Sequence, residues 1–148
     1  MRQPDILFED KHILVCFKPA GMPVQTKSVG GMDLESFLKN HLLRQMRKDG
    51  ISTKQPPYLA VIHRLDQPVS GILVFAKTPD AAKKLNKQMQ GDGFTKEYEA
   101  IACGTFKETS GTLVDYLVKD GRTNTSRICQ KDTPEAKRAE LSYTVLNH

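Results

Sequence analysis

The stretch His63-Arg64-Leu65-Asp66-Gln67-Pro68-Val69-Ser70-Gly71 puts one carboxylate two places after a cation, on turn-forming residues, just ahead of the apolar run ILVFAK. A free aspartate ionises near pH 4, so Asp66 is charged at neutrality, and a neighbouring Arg64 would help to keep it so. An ionised carboxylate on a rigid turn can serve as a nucleophile, a base or a metal ligand. The same residues also suit a purely structural turn, because Asp and Ser side chains bond nearby backbone amides. Metal ligation is disfavoured, since no second acid or histidine stands at ligand spacing. A serine triad is disfavoured too, because nothing frames Ser70 as an elbow nucleophile.

The elements that must position this turn can be read from periodicity and punctuation. DILFED and HILVCF predict two short strands about an acidic turn, Glu9-Asp10-Lys11, and KPAGMPVQT predicts a shaped loop broken by Pro19, Gly21 and Pro23. DLESFLKNHLLRQMRKDG predicts a helix capped by Asp33 and closed by Arg47, Lys48 and Gly50. Its Leu34, Phe37, Leu38, His41, Leu42 and Met46 share one face. Lys54–Pro57 reads as a linker within the domain, YLAVI as a strand into the turn, and GILVFAK as the strand after it. TPDAAKKLNKQMQG predicts a second helix with Thr78 as cap, Pro79 at the first position and Gly91 past the end. FTKEYEAIACG reads as a further strand, SGTLVDYLVKDGR as strand or turn, and RAELSYTVLNH as a last strand. The expected class is α+β, with a mixed, largely antiparallel sheet and flanking helices.

At 148 residues the chain is expected to be a single domain, 1–148, large enough for a real core. Its apolar and charged fractions are those of soluble globular chains, and no apolar stretch approaches the roughly 20 residues that span a bilayer. The acid-dotted N-terminus shows no signal-peptide pattern. Cys16, Cys103 and Cys129 are odd in number and scattered, which points to reduced thiols in a cytoplasm and away from a disulfide frame or zinc site. No metal site is expected from this spacing. The net charge of +5 recurs along the chain and is compatible with a polyanionic partner on a folded basic face.

HRLDQPVSGILVFAKT resembles the signature of the RluA-type pseudouridine synthases, in which HRLD, a short variable step, SG and an apolar strand ending in AK recur. ILFEDKHILVCFKPAGMPVQ resembles the family's N-terminal strands and KPAG-type loop. FTKEYEAIACG resembles its K-x-Y-x-A strand, and AKRAELSYTVL its later alanine-containing strand. These similarities are ordered as in the family and cover nearly the whole chain. The resemblance implies an RNA-modifying isomerase that needs no cofactor and acts on ribosomal or transfer RNA. It implies Asp66 as the catalytic aspartate and Tyr98 as a second catalytic residue, the tyrosine that stacks on the displaced base and assists removal of the C5 proton. Arg64 would fill the gap left by that base, while His63, Lys18 and Lys96 would line the substrate site. Read as plain residues, Tyr98 is also compatible with a cross-strand aromatic and Arg64 with a surface cation. His63 and Lys18 suit structural support as well as they suit substrate contact.

Two departures from the family pattern stand out. The step after HRLD is Gln67-Pro68-Val69, where many relatives carry a charged residue; it is expected to alter turn rigidity more than chemistry. The family's later GR-x-HQ-[IL]-R motif is missing before His148, and no S4-type extension is visible, so the sequence is expected to be the N-terminal portion of a larger catalytic domain. The alternative is a truncated, inactive relative acting as an RNA- or protein-binding module. An incomplete sheet would also expose an edge and favour self-association.

Overall fold

A computed structural model describes residues 3–26, 30–52, 55–91, 93–123 and 125–146. The chain divides into two compact units, Met1–Glu97 and Tyr98–His148.

In the first unit, β1 (Asp5–Glu9) and β2 (Ile13–Lys18) form the expected hairpin. Asp10 closes its turn by accepting the backbone N–H groups of His12 and Ile13, both at 2.7 Å. α1 (Leu34–Lys48), β3 (Ala60–Val61), β4 (Gly71–Ala76) and α2 (Pro79–Gln90) follow. The sheet runs β1-β2-β4-β3 with every neighbour antiparallel. The β2–β4 register pairs Leu14 with Phe75, Cys16 with Leu73 and Lys18 with Gly71. Side chains alternate across a strand, so these apolar residues share one face. There they are buried against Leu34, Leu38 and Leu42 of α1, with Met22, Val24 and Leu59 from the loops. Fully burying each such side chain is worth about 1.5–3 kcal/mol. Burial pushes the Cys16 thiol up to about 12, which makes it a packing residue and not a nucleophile. The opposite face carries Ala76, packed on Ala81 and Ala82 of α2, with Ile13, Ala60, Ile62 and Leu85 around them.

Both helix caps are where the sequence puts them. Asp33 accepts the Ser36 N–H at 2.7 Å and Thr78 accepts the Ala81 N–H at 3.2 Å, each satisfying an otherwise orphaned donor. Glu9 ties three elements together, accepting from His41 of α1 at 2.9 Å and from Lys77, just past β4, at 2.6 Å. The YLAVI strand shrinks to Ala60–Val61, because β4 continues past it without that partner. Of the Lys54–Pro57 linker, Lys54 lies outside the described residues.

The second unit holds β5 (Ser110–Asp120), β6 (Thr125–Cys129) and β7 (Lys137–Thr144), ordered β6-β5-β7 and antiparallel throughout. β7, the expected last strand, pairs with β5 from Ser110↔Thr144 to Leu117↔Lys137; Asn147 and His148 lie outside the described residues. β6 was not legible beforehand. No element is assigned to TSRIC from the sequence, and it becomes a strand by pairing with Tyr116–Asp120. The converse holds for FTKEYEAIACG. Its alternation suggests a strand, but 94–104 is irregular, and Tyr98 and Ile101 are exposed without a ladder partner. Among the described residues every strand pairing is antiparallel, and the class is α+β as expected.

Candidate active site

Asp66 sits on the turn that enters β4. The turn is closed by the Val69 N–H donating to the Asp66 carbonyl at 3.0 Å. Its side chain is exposed and, among the described residues, makes no hydrogen bond. The contrast with other turn and cap aspartates is informative. Asp10, Asp33 and Asp120 each spend their carboxylates on backbone N–H groups two, three or seven residues away. Asp66 therefore does not do the local bonding that a structural turn aspartate does, and its oxygens stay available.

Two anchors hold the backbone on either side of it. On one side Leu65 packs against the core of the first unit. Gly71 makes room for that: a Cβ there would stand 2.9 Å from the Leu65 Cδ1. This is the physical reason for glycine in the SG step of the signature. On the other side lies Lys18, the last residue of β2, paired across the ladder with Gly71. Its ammonium is fully buried and donates to the carbonyls of Met22 at 2.8 Å, Pro19 at 3.2 Å and Gln67 at 3.2 Å. Burial lowers the Lys18 pKa, and the charge of Asp66 partly restores it. A buried cation thus lies close enough to feel the carboxylate while binding the loop and turn together.

The partner expected for Asp66 was Arg64, and this is corrected. Arg64 is exposed and forms no ion pair or hydrogen bond among the described residues; the cation that senses Asp66 is Lys18. Two residues along an irregular chain do not bring a long side chain back onto its neighbour without a further constraint. Arg64 remains a free cation beside the turn.

His63 is half-buried and structural in its bonds. Its Nε2 accepts the Val74 N–H at 3.2 Å, on the edge of β4 that β3 has vacated. This fixes the neutral tautomer with the proton on Nδ1. Burial, with the Lys96 charge added, lowers the His63 pKa and agrees with a neutral ring. Phe94 meets that ring edge-on, centroids 5.3 Å apart. Phe94 is a support that motif reading passed over, and Gln67 was noted there for turn rigidity alone; nothing in their types or spacing signals contacts made 31 and 46 residues away. Lys96 is exposed at the end of the first unit, and Tyr98 opens the second with 67% of its surface exposed.

The model of the RNA pseudouridylate synthase family matches residues 12–148. The chain belongs to this family. Ribosomal large subunit pseudouridine synthase D of Yersinia pestis is 33% identical over 144 residues, and its Pseudomonas aeruginosa namesake is 35% identical over 142 residues. Ribosomal large subunit pseudouridine synthase C of Salmonella typhi is 34% identical over 140 residues. These alignments cover 97%, 96% and 95% of this chain but only 41%, 41% and 40% of the relatives, so the chain spans about two fifths of their length. Among solved structures, human RNA pseudouridylate synthase domain containing 4 superposes with a TM-score of 0.71 at 24% identity, covering 96% of this chain and 53% of that one. This likeness shows the pseudouridylate synthase fold. Within that fold, Lys18 stands opposite Gly71 at the start of β4, Asp66 lies on the turn ahead of it, and His63 bonds Val74 in the middle of the strand.

Proposed function

We propose that the chain carries the reacting carboxylate of an RNA pseudouridine synthase, with Asp66 acting on a uridine of ribosomal RNA. The observation that carries this reading is an exposed carboxylate with no hydrogen bond of its own, on a doubly anchored turn beside a buried ammonium. The isomerisation breaks the N1–C1′ bond of uridine, turns the uracil and rejoins it through C5, with no redox step. Asp66 can open it by attack at C1′, by addition at C6, or by removing the C2′ proton to give a glycal. Each route needs an ionised oxygen free to approach the nucleotide.

The target base must first leave its stack, at a cost of a few kcal/mol. Tyr98 supplies an exposed ring on which a displaced base stacks, and Arg64 an uncommitted cation to occupy the vacated space. Lys96 adds positive charge for phosphate, so RNA affinity falls as salt rises. The relatives named above are ribosomal large subunit synthases, which favours ribosomal over transfer RNA and a cytoplasmic setting. β7 lies at a sheet edge, and we assign self-association to that edge.

Tritium release from ribosomal RNA labelled at uridine C5 tests the assignment. The chain is expected to release tritium, and Asp66→Asn to lower the rate by at least about a hundredfold. Release unchanged by that substitution overturns the assignment of Asp66. RNA binding without release supports the other reading, a binding module.

A further inference from the structure

We propose that Gln67 is the positioning residue for Asp66, through a hydrogen bond from its carboxamide to the loop 19–24. This rests on the reading of Asp66 as the reacting group. The Asp66 carboxylate makes no hydrogen bond among the described residues, so its placement is set by the backbone on each side. Leu65 fixes one side by packing in the core. Gln67 fixes the other with three interactions that converge on one residue. Its carbonyl accepts the Gly21 N–H at 2.8 Å and the Lys18 ammonium at 3.2 Å, and its Nε2 donates to the Gly21 carbonyl at 3.0 Å. Gln67 and Gly21 thus exchange two hydrogen bonds, with the Gln67 side-chain Nε2 as donor where an antiparallel ladder pair would use the backbone N–H. The orientation of the carboxamide follows from its partner, since only the NH2 end can bond a carbonyl.

Gly21 makes this exchange possible. Its φ of +85° lies in the left-handed region, which a residue with a Cβ rarely occupies. The loop it belongs to is itself held to α1: Leu34 N–H donates to the Pro23 carbonyl at 3.0 Å and Glu35 N–H to the Val24 carbonyl at 3.1 Å. The turn bearing Asp66 is therefore connected through Gln67 and Gly21 to the start of a packed helix. A side chain at position 67 contributes to this only if it can donate. The sequence step QPV thus does more than stiffen the turn: it supplies the donor.

Donor and non-donor variants of the 148-residue chain decide the matter. Gln67→Glu keeps the shape and loses the donor; Gln67→Arg restores an N–H. Gln67→Glu loses the bond to the Gly21 carbonyl and, by loosening the loop, is expected to speed exchange of the Gly21 amide, whose own bond to the Gln67 backbone carbonyl is kept, about fivefold, and to lower kcat for tritium release about as much with KM little changed. The side-chain carboxyl 13C resonance of Asp66 should move in Gln67→Glu and return in Gln67→Arg, as should kcat. Faster Gly21 exchange with the Asp66 resonance and kcat both unmoved overturns the positioning role and leaves a structural bond. A chain that releases no tritium, or an Asp66→Asn variant as active as the original, overturns the catalytic reading instead. In that case the Asp66 resonance still decides whether Gln67 places it.

Discussion

The two units solve the problem of a half-apolar sheet in opposite ways. The first covers both faces of its sheet, with α1 on Leu14, Cys16, Leu73 and Phe75, and α2 on Ala76. Every residue in the two buried core clusters belongs to it. The second has the longest strand, β5, yet Leu113, Val114, Ile128, Leu141 and Leu146 stay substantially exposed and no helix is present among its described residues. Phe106, in the irregular segment ahead of β5, packs on Tyr143 of β7 with ring centroids 4.9 Å apart. The difference teaches where a rigid site can be built. Asp66, Lys18, Gln67 and His63 all stand on the unit whose backbone is fixed by burial, and the exposed Tyr98 opens the other.

The largest effect that could break this comparison is a core truncation. Phe75→Ala should destabilise the chain by about 3–5 kcal/mol, and Leu113→Ala, at a half-exposed position, by under about 1 kcal/mol, in urea unfolding followed by circular dichroism. Equal losses would show that the second unit has a core of its own kind.

A middling effect concerns acid. The His63 pKa is lowered by burial and by Lys96, so in the unfolded chain the ring takes up its proton at a higher pH than in the folded one. The stability it contributes is therefore complete above the unfolded value of 6.5 and is lost as pH falls through the lower, folded value. Burial works to raise the Glu9 pKa, but hydrogen bonds from Lys77 and His41 outweigh it, and the net direction is down. Its contribution is present above the unfolded value of 4.5 and disappears further into acid. Melting temperature should fall in two stages on acidification. His63→Gln, whose amide oxygen reaches the Nε2 position to accept the Val74 N–H but cannot titrate, should flatten the first and leave the second. A first stage that survives His63→Gln would mean that another group governs it. Among the described residues of the second unit the shifted group is Asp120, an exposed carboxylate lowered by the Arg122 and Thr123 backbone N–H groups, so acid sensitivity should centre on the first.

The smallest effect on stability comes from Leu141→Lys on β7, within about 0.5 kcal/mol because the side chain is already half-exposed. It sharpens the comparison through another measurement. Light scattering should show less self-association than the unaltered chain, since charge on an edge strand opposes pairing with another chain. Unchanged scattering would place self-association elsewhere.

By itself the sequence determined the parts that depend on local rules. Apolar residues at helical spacing with Asp33 and Thr78 ahead of them specify both helices, because caps and periodicity act within a few residues. The alternation of ILVCFK and the apolar run GILVFA specify the two central strands, and HRLD marks Asp66 as the residue to watch. Tertiary structure alone decided everything that depends on which distant groups meet. TSRIC becomes a strand only because Tyr116–Asp120 offers it a ladder, and FTKEYEAIACG fails to become one for want of a partner. The cation whose charge interacts with Asp66 is Lys18, 48 positions before it in the sequence, and not Arg64, two positions before it, because β2 and β4 pair in register and bring Lys18 opposite Gly71. Backbone and side-chain hydrogen bonds across such distances depend on the packing of the whole unit, and no window of residue types encodes them.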